Sequence, residues 1–419
     1  MYEKYQLANK AKVILVPQND TTSITILIMY PVGSRYEPEK IAGVSHFVEH
    51  LMFKGTEKRK NTLTLTREID RLGAEYNAFT GKEYTAYYIK VDATYTKTAL
   101  DILSDMLFHS KFDAKELERE KTVVVEELRM YEDNPVMNID TTFENLLYAG
   151  SPLGRDIGGT PRHVMSYTRP DVLAYRERYY QPSNMTIVAA GRVTSEATEL
   201  IQRFFGDAKS TGKVSSTFKP ACFGSSRKED RLIVKQKKTD QAQLTLGFPG
   251  FSYQAPEDPT VSVMNTIFGG SMSSRLFIQV RERRGYAYSV RSGSDNFRDT
   301  GHVFVRAGLE VKNINKAIRV IQDEMKKLTD KKVTPRELAD AKTHIRGRLM
   351  LSMEDSSSQA NWYASEAVFM GQIATPEERL ARLEAVSAEE IQLLAKKLFR
   401  EKEMRVAIIG DVKKEDVQF

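Results

Sequence analysis

The chain of 419 residues has only one cysteine, six histidines and no long apolar run. A single cysteine, Cys222, excludes an internal disulfide and fits a reducing compartment, so we expect a cytoplasmic protein. The apolar stretch at residues 24–30 is far shorter than the roughly 20 residues of a membrane-spanning helix, so we expect no membrane partner. The N-terminus lacks the apolar region of a signal peptide and the Arg- and Ser-rich composition of a transit peptide, so we expect neither.

The chain has no long segment in which charges of one sign are concentrated. The net charge is +6, but Lys and Arg alternate with Asp and Glu. Without a long basic block, the sequence does not indicate a nucleic-acid partner. With 41% hydrophobic and 28% charged residues, the composition is that of a globular protein. A chain of this length exceeds the roughly 250–300 residues at which a single core stops growing, so we expect two domains.

Two of the six histidines stand four residues apart, with a glutamate between them, as His46-x-x-Glu49-His50. The apolar residues around them predict a helix that ends by Gly55. Residues four apart lie on one helix face, so both imidazoles can reach one metal ion. Neutral imidazoles suit zinc, and Glu49 beside them suits a base that deprotonates water. This order is itself a zinc-peptidase signature. By chance, such a placement occurs on the order of once per hundred chains.

A catalytic zinc needs a third protein ligand, and a long helix predicted over residues 114–132 offers three glutamates. Valines and a leucine among them indicate that the helix is partly buried, where an unpaired carboxylate is costly. Glu120 and Glu127 are two turns apart and share a face, whereas Glu126 points elsewhere. The spacing alone leaves open that Glu120 and Glu127 are ordinary solvated helix residues.

Periodicity predicts further elements in the first half of the chain. Strands are expected at residues 12–17 and 22–30, joined by a turn at 18–20, and at 84–91 and 186–190. Helices are expected at 65–72 and 97–108. The segment 209–228 is rich in Ser, Gly, Lys and Pro without periodicity, which predicts a linker between domains 1–208 and 229–419.

The second half of the chain repeats the first. Residues 185–193 correspond to 404–412, and residues 116–122 correspond to 337–343, at offsets of 219 and 221. Hairpin strands and clustered helices favour an α+β fold, with a mostly antiparallel sheet in each half. The metal-site residues do not recur, so the metal chemistry belongs to the first half. Their counterparts in the second half are Val263, Thr266 and Ile267 for the histidine motif, and Ala341 and Arg348 for Glu120 and Glu127.

The whole chain resembles the inverted-motif zinc metallopeptidases of the pitrilysin, insulinase and mitochondrial processing peptidase family. The resemblance implies His46, His50 and Glu127 as ligands of one zinc ion per chain, with Glu49 as the catalytic base. It implies that Glu120 assists without binding the metal. The segments that carry the resemblance are HFVEHLMFKGT, the gap from His50 to Glu127, GAEYNAFTGKEYTAYY, LGRDIGGTP, YYQPSNMTIVAAG, FGGSMSSRLF and VRERRGYAYSV.

Two other segments gain a role from this resemblance. Asn77, Ala78, Phe79 and Thr80 are similar to the family's exposed edge strand, which takes up an extended substrate by β-augmentation. Arg281 and Tyr288 resemble a pair in the family's second domain, in which Tyr aids oxyanion stabilisation and Arg binds the substrate backbone. Arg283 and Arg284 are alternatives to Arg281, and the seven-residue spacing to Tyr288 favours Arg281. The glycine-rich segment 268–274 lacks the Lys-Ser/Thr of a phosphate loop.

The resemblance implies a zinc endopeptidase that cuts unfolded peptides or short protein segments. The length of the chain is similar to that of the family's short bacterial and organellar members, in which two chains close as a clamshell around a chamber. Since this chain holds both the zinc motif and the Arg/Tyr pair, we expect a homodimer. The alternatives are a dedicated presequence-processing peptidase and a non-catalytic scaffold or assembly subunit.

Overall fold

The computed structural model describes residues 2–210, 214 and 217–419. Its chain divides into two compact units, and each consists of three segments. The first unit contains Met1–Arg129, Arg155–Lys219 and Leu351–Ile373. The second contains Met130–Gly154, Pro220–Met350 and Ala374–Phe419. Among the described residues, no helix is long and apolar enough to cross a membrane.

The first unit is built on a six-stranded sheet in the order β1-β2-β6-β3-β5-β4. All neighbours pair antiparallel except β2 and β6, which are parallel. The strands are β1 (Glu3–Gln6), β2 (Lys12–Pro17), β3 (Ser23–Tyr30), β4 (Glu75–Thr80), β5 (Thr85–Asp92) and β6 (Thr186–Gly191). The second unit has a five-stranded sheet in the order β7-β11-β8-β10-β9. Its strands are β7 (Leu232–Gln236), β8 (Gln241–Pro249), β9 (Ala287–Asn296), β10 (Gly301–Glu310) and β11 (Arg405–Gly410).

Helices make up most of the rest of the described chain. In chain order they are α1 (Val44–Met52), α2 (Thr62–Asp70), α3 (Thr96–His109), α4 (Ala114–Asp133), α5 (Pro135–Leu147), α6 (Pro161–Ser166), α7 (Arg169–Tyr179), α8 (Ser195–Phe205), α9 (Asp258–Gly269), α10 (Ile314–Asp330), α11 (Pro335–Ser352), α12 (Ser356–Ser365), α13 (Pro376–Glu384) and α14 (Ala388–Leu398). Two π-helical turns follow other helical segments, at Phe277–Glu282 and Glu366–Met370.

The two sheets have the same connectivity, which supports the repeat found in the sequence. β6 is parallel to β2 and antiparallel to β3, and β11 is parallel to β7 and antiparallel to β8. Both inserted strands are buried along their whole length. The predicted α+β fold, with a mostly antiparallel sheet and helices in each half, is therefore confirmed. The clamshell dimer stays a prediction.

The strands β2 and β3 follow each other in the chain as predicted. They are not neighbours in the sheet, however, because β6 lies between them. The physical reason is burial: β6 is an apolar strand of small and β-branched residues that needs a partner on each side. Its paired residues lie 174 residues earlier in β2 and 157–167 residues earlier in β3, beyond the range of any local pattern.

The contiguous domains 1–208 and 229–419 differ from the observed units at two places. Residues 130–154, with α5, belong to the second unit, where α5 packs on β8 and β11. Residues 351–373, with α12, belong to the first unit, where α12 packs on β3 and β6. A buried hydrogen bond of 2.8 Å joins Thr25 of β3 to Ser356 of α12. These segments cover sheet faces that would otherwise expose apolar residues, an arrangement that local periodicity does not encode.

The predicted linker 209–228 falls partly on residues 211–213 and 215–216, which lie outside the described residues. The described residues of the linker contain no α-helix or β-strand. Residues Phe218 and Lys219, in the middle of the segment, are held within the first unit, because Arg35 stacks on Phe218 at 3.9 Å and donates a hydrogen bond to the carbonyl of Lys219.

Candidate metal centre and active site

Helix α1 carries the histidine motif in the first unit. Its apolar residues Val44, Phe47, Val48, Leu51 and Met52 are buried and fix the helix against the core. The opposite face leaves His46 and His50 half-buried, with their Nε2 atoms 3.3 Å apart. Two nitrogens that each lie about 2.0–2.1 Å from a tetrahedral zinc are about 3.3–3.4 Å apart, so the two rings already have the separation that zinc requires.

Helix α4 brings a carboxylate to the same point. Glu127 Oε2 lies 3.2 Å from His50 Nε2, and Glu127 Oε1 lies 3.8 Å from His46 Nε2. One ligand atom from each of the three residues lies within 4.8 Å of the other two. Glu126 instead is exposed and pairs with Arg129. Two imidazole nitrogens and one carboxylate oxygen are a typical donor set of a catalytic zinc site, and these residues fit that metal.

Glu120 holds His50 from the side away from this group. Its Oε1 lies 2.8 Å from His50 Nδ1, and its Oε2 lies 2.6 Å from Lys54 Nζ. Glu120 is only 2% exposed. Burial alone would raise its pKa, but hydrogen bonds to His50 and Lys54 lower it below the usual range. Glu120 therefore stays charged and occupies Nδ1 of His50, so Nε2, which faces His46 and Glu127, is the nitrogen of that ring that can bind a metal.

The pKa values of the two histidines differ widely. Burial lowers the pKa of His46 to about 4, helped by the neighbouring His50. Burial also acts to lower the pKa of His50, but Glu120 and Glu127 outweigh it and raise the pKa to about 9. Near neutral pH the metal-free site thus holds one neutral and one protonated imidazole. Nδ1 of His46 is buried and has no hydrogen-bond partner among the described residues.

Glu49 lies next to the two histidines and is hydrogen-bonded by Thr80. The hydroxyl of Thr80 donates to Oε2 of Glu49. Burial raises the pKa of Glu49, whereas Thr80 and His50 act in the opposite direction. A raised pKa makes the Glu49 carboxylate a stronger base than an exposed glutamate. Thr80 was expected to bind substrate, and its contact with Glu49 was missed.

The segment of Asn77, Ala78, Phe79 and Thr80 lies on β4. Within the described part of the chain β4 pairs only with β5, so it forms one edge of the first sheet. The expectation of an edge strand is confirmed, and its substrate role stays a prediction. The amide of Ala78 donates to the side-chain oxygen of Asn77 at 2.9 Å. Thr80 ends the strand at Glu49, so β4 runs towards the metal-ligand group.

Arg281 and Tyr288 lie together in the second unit. Arg281 stands in the π-helical turn Phe277–Glu282, and its guanidinium carbon is 5.4 Å from the ring centre of Tyr288 and 4.8 Å from that of Phe277. Tyr288 is the second residue of β9, and 73% of its surface is exposed. The structure thus brings together the pair that the sequence spacing selected, and it leaves the phenol open to a ligand.

A second group of possible ligand atoms occurs in the second unit, at Glu144, Asp295 and His302. Both ring nitrogens of His302 already have partners, since Nδ1 lies 3.1 Å from the Tyr148 hydroxyl and Nε2 lies 3.3 Å from Asp295. We assign no function to this group.

Lys54 and Glu37 are neighbours of the site that sequence reasoning missed. Lys54 stands four residues after His50, in the part of the sequence that was predicted as helical up to Gly55. This spacing could have indicated that Lys54 and His50 face the same partner, which is Glu120. Glu37 lies outside the motif, and nothing in its local sequence distinguishes it from other surface glutamates. Its carboxylate binds the start of α1.

Comparison with known proteins identifies the class of the chain and then its family. Residues 12–161 match the family model described as insulinase (peptidase family M16), and residues 166–345 match the model described as peptidase M16 inactive domain. Both models describe domains of peptidase family M16. The uncharacterized zinc protease YmxG of Bacillus subtilis is 35% identical over 401 residues, which cover 96% of each chain. The chain belongs to the insulinase family, peptidase family M16.

Further relatives and solved structures agree with this assignment. An uncharacterized zinc protease of Streptomyces coelicolor is 31% identical over 93% of this chain and 85% of its own. A protease from Helicobacter pylori has the same fold, with a TM-score of 0.91 at 22% identity over 98% of this chain and 99% of its own. A peptidase M16 inactive domain from Pseudomonas fluorescens has a TM-score of 0.90 at 18% identity, over 100% of this chain and 99% of its own.

Proposed function

We propose that the protein is a zinc-dependent endopeptidase that hydrolyses unfolded peptides or short protein segments within a closed chamber. The observation that carries this proposal is the group of His46, His50 and Glu127. Glu49 lies beside this group and contacts Thr80, the last residue of the edge strand β4. The relatives described as zinc proteases support it.

Each residue near the site has a role that follows from its contacts. His46, His50 and Glu127 would hold one zinc ion, and Glu120 would orient His50 through Nδ1. The bound zinc would supply a Lewis acid that polarises the substrate carbonyl and acidifies a water molecule. Glu49 takes the proton of the attacking water and returns it to the leaving amine. Thr80 keeps the Glu49 carboxylate in place between these two transfers.

The edge strand would hold the substrate in an extended conformation. Because β4 has a partner on one side only, its other side can pair with a peptide backbone. The side chain of Asn77 bonds to the Ala78 amide, and a bound peptide would replace this bond. Recognition through the backbone accepts many sequences, provided that the substrate is unfolded. Arg281 would bind the substrate backbone, and Tyr288 would stabilise the developing oxyanion.

A peptide library of graded lengths, digested with and without a chelator, tests the proposed function. We expect many unfolded peptides to be cut internally, with activity lost on chelation and restored by zinc. A single cut in a precursor protein, without cleavage of general peptides, would instead identify a processing peptidase. A chain that binds zinc but cuts nothing in the library would favour the scaffold role.

Zinc binding by the metal-free protein is expected to release about one proton at pH 6. The proton comes from His50, whose pKa is raised to about 9, whereas His46, with a pKa of about 4, is already neutral. Because zinc requires the neutral ring, its apparent affinity should rise with pH, by roughly tenfold per unit, until pH approaches about 9. Calorimetry in buffers of different ionisation enthalpy measures the proton release.

The matched variant for this measurement is Glu120→Gln. It removes a carboxylate that raises the pKa of His50, so the pH dependence of zinc affinity should become shallower. An apparent zinc affinity of the unmodified protein that does not change between pH 6 and pH 8 would contradict the assigned titration of His50.

We further propose that the active form is a homodimer in which Arg281 and Tyr288 serve the zinc of the partner subunit. The test uses one chain with Glu49→Gln and another with Arg281→Ala and Tyr288→Phe, each nearly inactive as a homodimer. When the two are co-expressed, about half of the dimers are mixed, and each mixed dimer has one complete site of two. Activity should therefore recover to about a quarter of the unmodified level.

Differently tagged chains allow the mixed dimers to be purified and counted. Mixed dimers without recovered activity would show that the pair acts within its own chain. A protein that remains monomeric at the assay concentration would rule out the homodimer.

A further inference from the structure

Glu37 is a buried carboxylate at the start of the helix that carries both histidines. It lies between β3 and α1 and is only 5% exposed. Its Oε2 accepts a hydrogen bond from the Gly43 amide at 2.6 Å, and its Oε1 accepts one from the Ser45 amide at 2.6 Å. The first amides of a helix have no partner within the helix, so these two bonds satisfy groups that the fold would otherwise leave buried and unpaired.

This cap differs from the other helix caps of the chain. In α2, α5 and α7 the residue just before the helix, Asn61, Asn134 or Thr168, accepts an amide hydrogen bond through its own side chain. In α1 that position is Gly43, with φ of +96°, and the cap comes from six residues upstream. A side chain outside the helix fixes its position relative to another part of the unit, which a local cap cannot do.

Burial of the carboxylate is costly, which indicates that more than a cap is gained. Burial raises the pKa of Glu37 to about 7, although hydrogen bonds from Ser45 and Gly43 and the charge of Arg155 act to lower it. A local Ser or Asp cap would satisfy the Ser45 amide without removing a charge from water, but glycine occupies the position of such a cap in α1.

The residues bonded to Glu37 are themselves held by other segments of the first unit. The Ser45 hydroxyl lies 2.6 Å from the Tyr175 hydroxyl of α7, and the Tyr167 hydroxyl donates to the Ala42 carbonyl at 2.5 Å. A Cβ atom on Gly43 would lie 2.3 Å from the Gly158 carbonyl oxygen, so only glycine fits there. The start of α1 is thus fixed from several sides, within four residues of His46.

The second unit shows that the fold itself does not require such an anchor. Its helix α9 corresponds to α1 in the repeat and carries no metal-ligand motif. The residue before it, Glu257, makes no side-chain cap, the Asp258 amide bonds to the Ala255 carbonyl, and the second residue of the helix, Pro259, has no amide to satisfy. A buried carboxylate thus caps the helix that carries the histidines but not its counterpart α9.

We propose that Glu37 is a positioning residue of the metal centre. By holding the amides of Gly43 and Ser45, it sets the position of α1 along its axis and its rotation about that axis. These two quantities determine the distance of His46 and His50 from Glu127, which stands on α4. This inference rests on the proposed zinc site. Because the ligand atoms must meet at one point, a small rotation of α1 weakens metal binding even when the helix stays folded.

The test compares zinc affinity in Glu37→Gln and Glu37→Asp, measured without substrate by competition with a chelating dye. In Glu37→Gln, an amide group faces one of the two backbone amides, so the zinc dissociation constant should rise by about 10–100-fold. In Glu37→Asp, the charge remains but the shorter side chain reaches fewer amides, and we expect a smaller rise of about threefold to tenfold. The visible spectrum of the cobalt-substituted protein should change in both variants.

The matched control is Asn61→Ala, which removes the cap of α2 in the same unit without touching α1. It should lower the melting temperature by a few degrees and leave the zinc affinity and cobalt spectrum unchanged. If both Glu37 variants are destabilised but bind zinc as tightly as the unmodified protein, the inference is overturned. If Glu37→Gln does not fold, unchanged zinc binding by Glu37→Asp decides against it. Failure of the unmodified protein to bind zinc would instead overturn the proposed function.

Discussion

Glu49→Gln is expected to lower the rate of peptide hydrolysis by about 10²–10⁴-fold while one zinc ion per chain remains bound. A positioned general base contributes about 10²–10⁴-fold, and the amide of glutamine cannot accept the proton of the attacking water. The metal stays because Glu49 is not part of the ligand group. Glutamine has the shape of glutamate and can still accept the hydrogen bond from Thr80.

Steady-state hydrolysis of an internally quenched peptide and metal analysis of the same sample measure the two quantities. Thr80→Val serves as the graded comparison, since it leaves the base in place and removes only its hydrogen-bond donor. We expect it to lower the rate far less than Glu49→Gln does. Loss of zinc from Glu49→Gln, or a rate within tenfold of the unmodified protein, would contradict the role of Glu49 as the base.

Removal of any one ligand should abolish both zinc binding and activity. His46→Ala, His50→Ala and Glu127→Gln each leave two protein ligands, and a catalytic zinc ion is ordinarily held by three. Changes in the residues that merely orient ligands already cost about 10–100-fold in affinity, so we expect the zinc dissociation constant to rise by more than about 100-fold here. Equilibrium dialysis against buffered zinc measures it.

The chain offers a close control for Glu127. The adjacent Glu126 stands on the same helix, is exposed and pairs with Arg129, so Glu126→Gln should keep both zinc and activity. The pair of variants separates a ligand from a general effect of charge on α4. If Glu127→Gln kept full zinc content and Glu126→Gln lost it, the ligand assignment would be wrong. A melting curve for each variant shows that the helix remains folded.

Helical periodicity was sufficient to predict much of the site. The four-residue spacing of His46 and His50 placed both rings on one face, and their Nε2 atoms are 3.3 Å apart. On α4, the spacing separated Glu120 and Glu127 from Glu126, as the structure does. It did not decide between a ligand and a supporting acid. That difference depends on which nitrogen of His50 each carboxylate approaches, which is a matter of how two helices pack.

Contacts between residues far apart in the chain could not be predicted from the sequence. The hydrogen bond from Thr80 to Glu49, and the carboxylate of Glu37 at the start of α1, join segments whose local patterns are independent. Each of these side chains alone is an ordinary polar residue near a turn or strand end. Only the packing of the strand, the preceding segment and the helix gives them a partner.

The sequence by itself determined the duplicated α+β fold, the helix that carries the two histidines and the glutamates that could complete their site. The tertiary structure decided the order of the strands, in which β6 separates β2 from β3, and the exchange of residues 130–154 and 351–373 between the two halves. The physical reason is range. Periods of two and 3.6 residues record which face of an element is buried, whereas the partner that buries that face is chosen by the whole core.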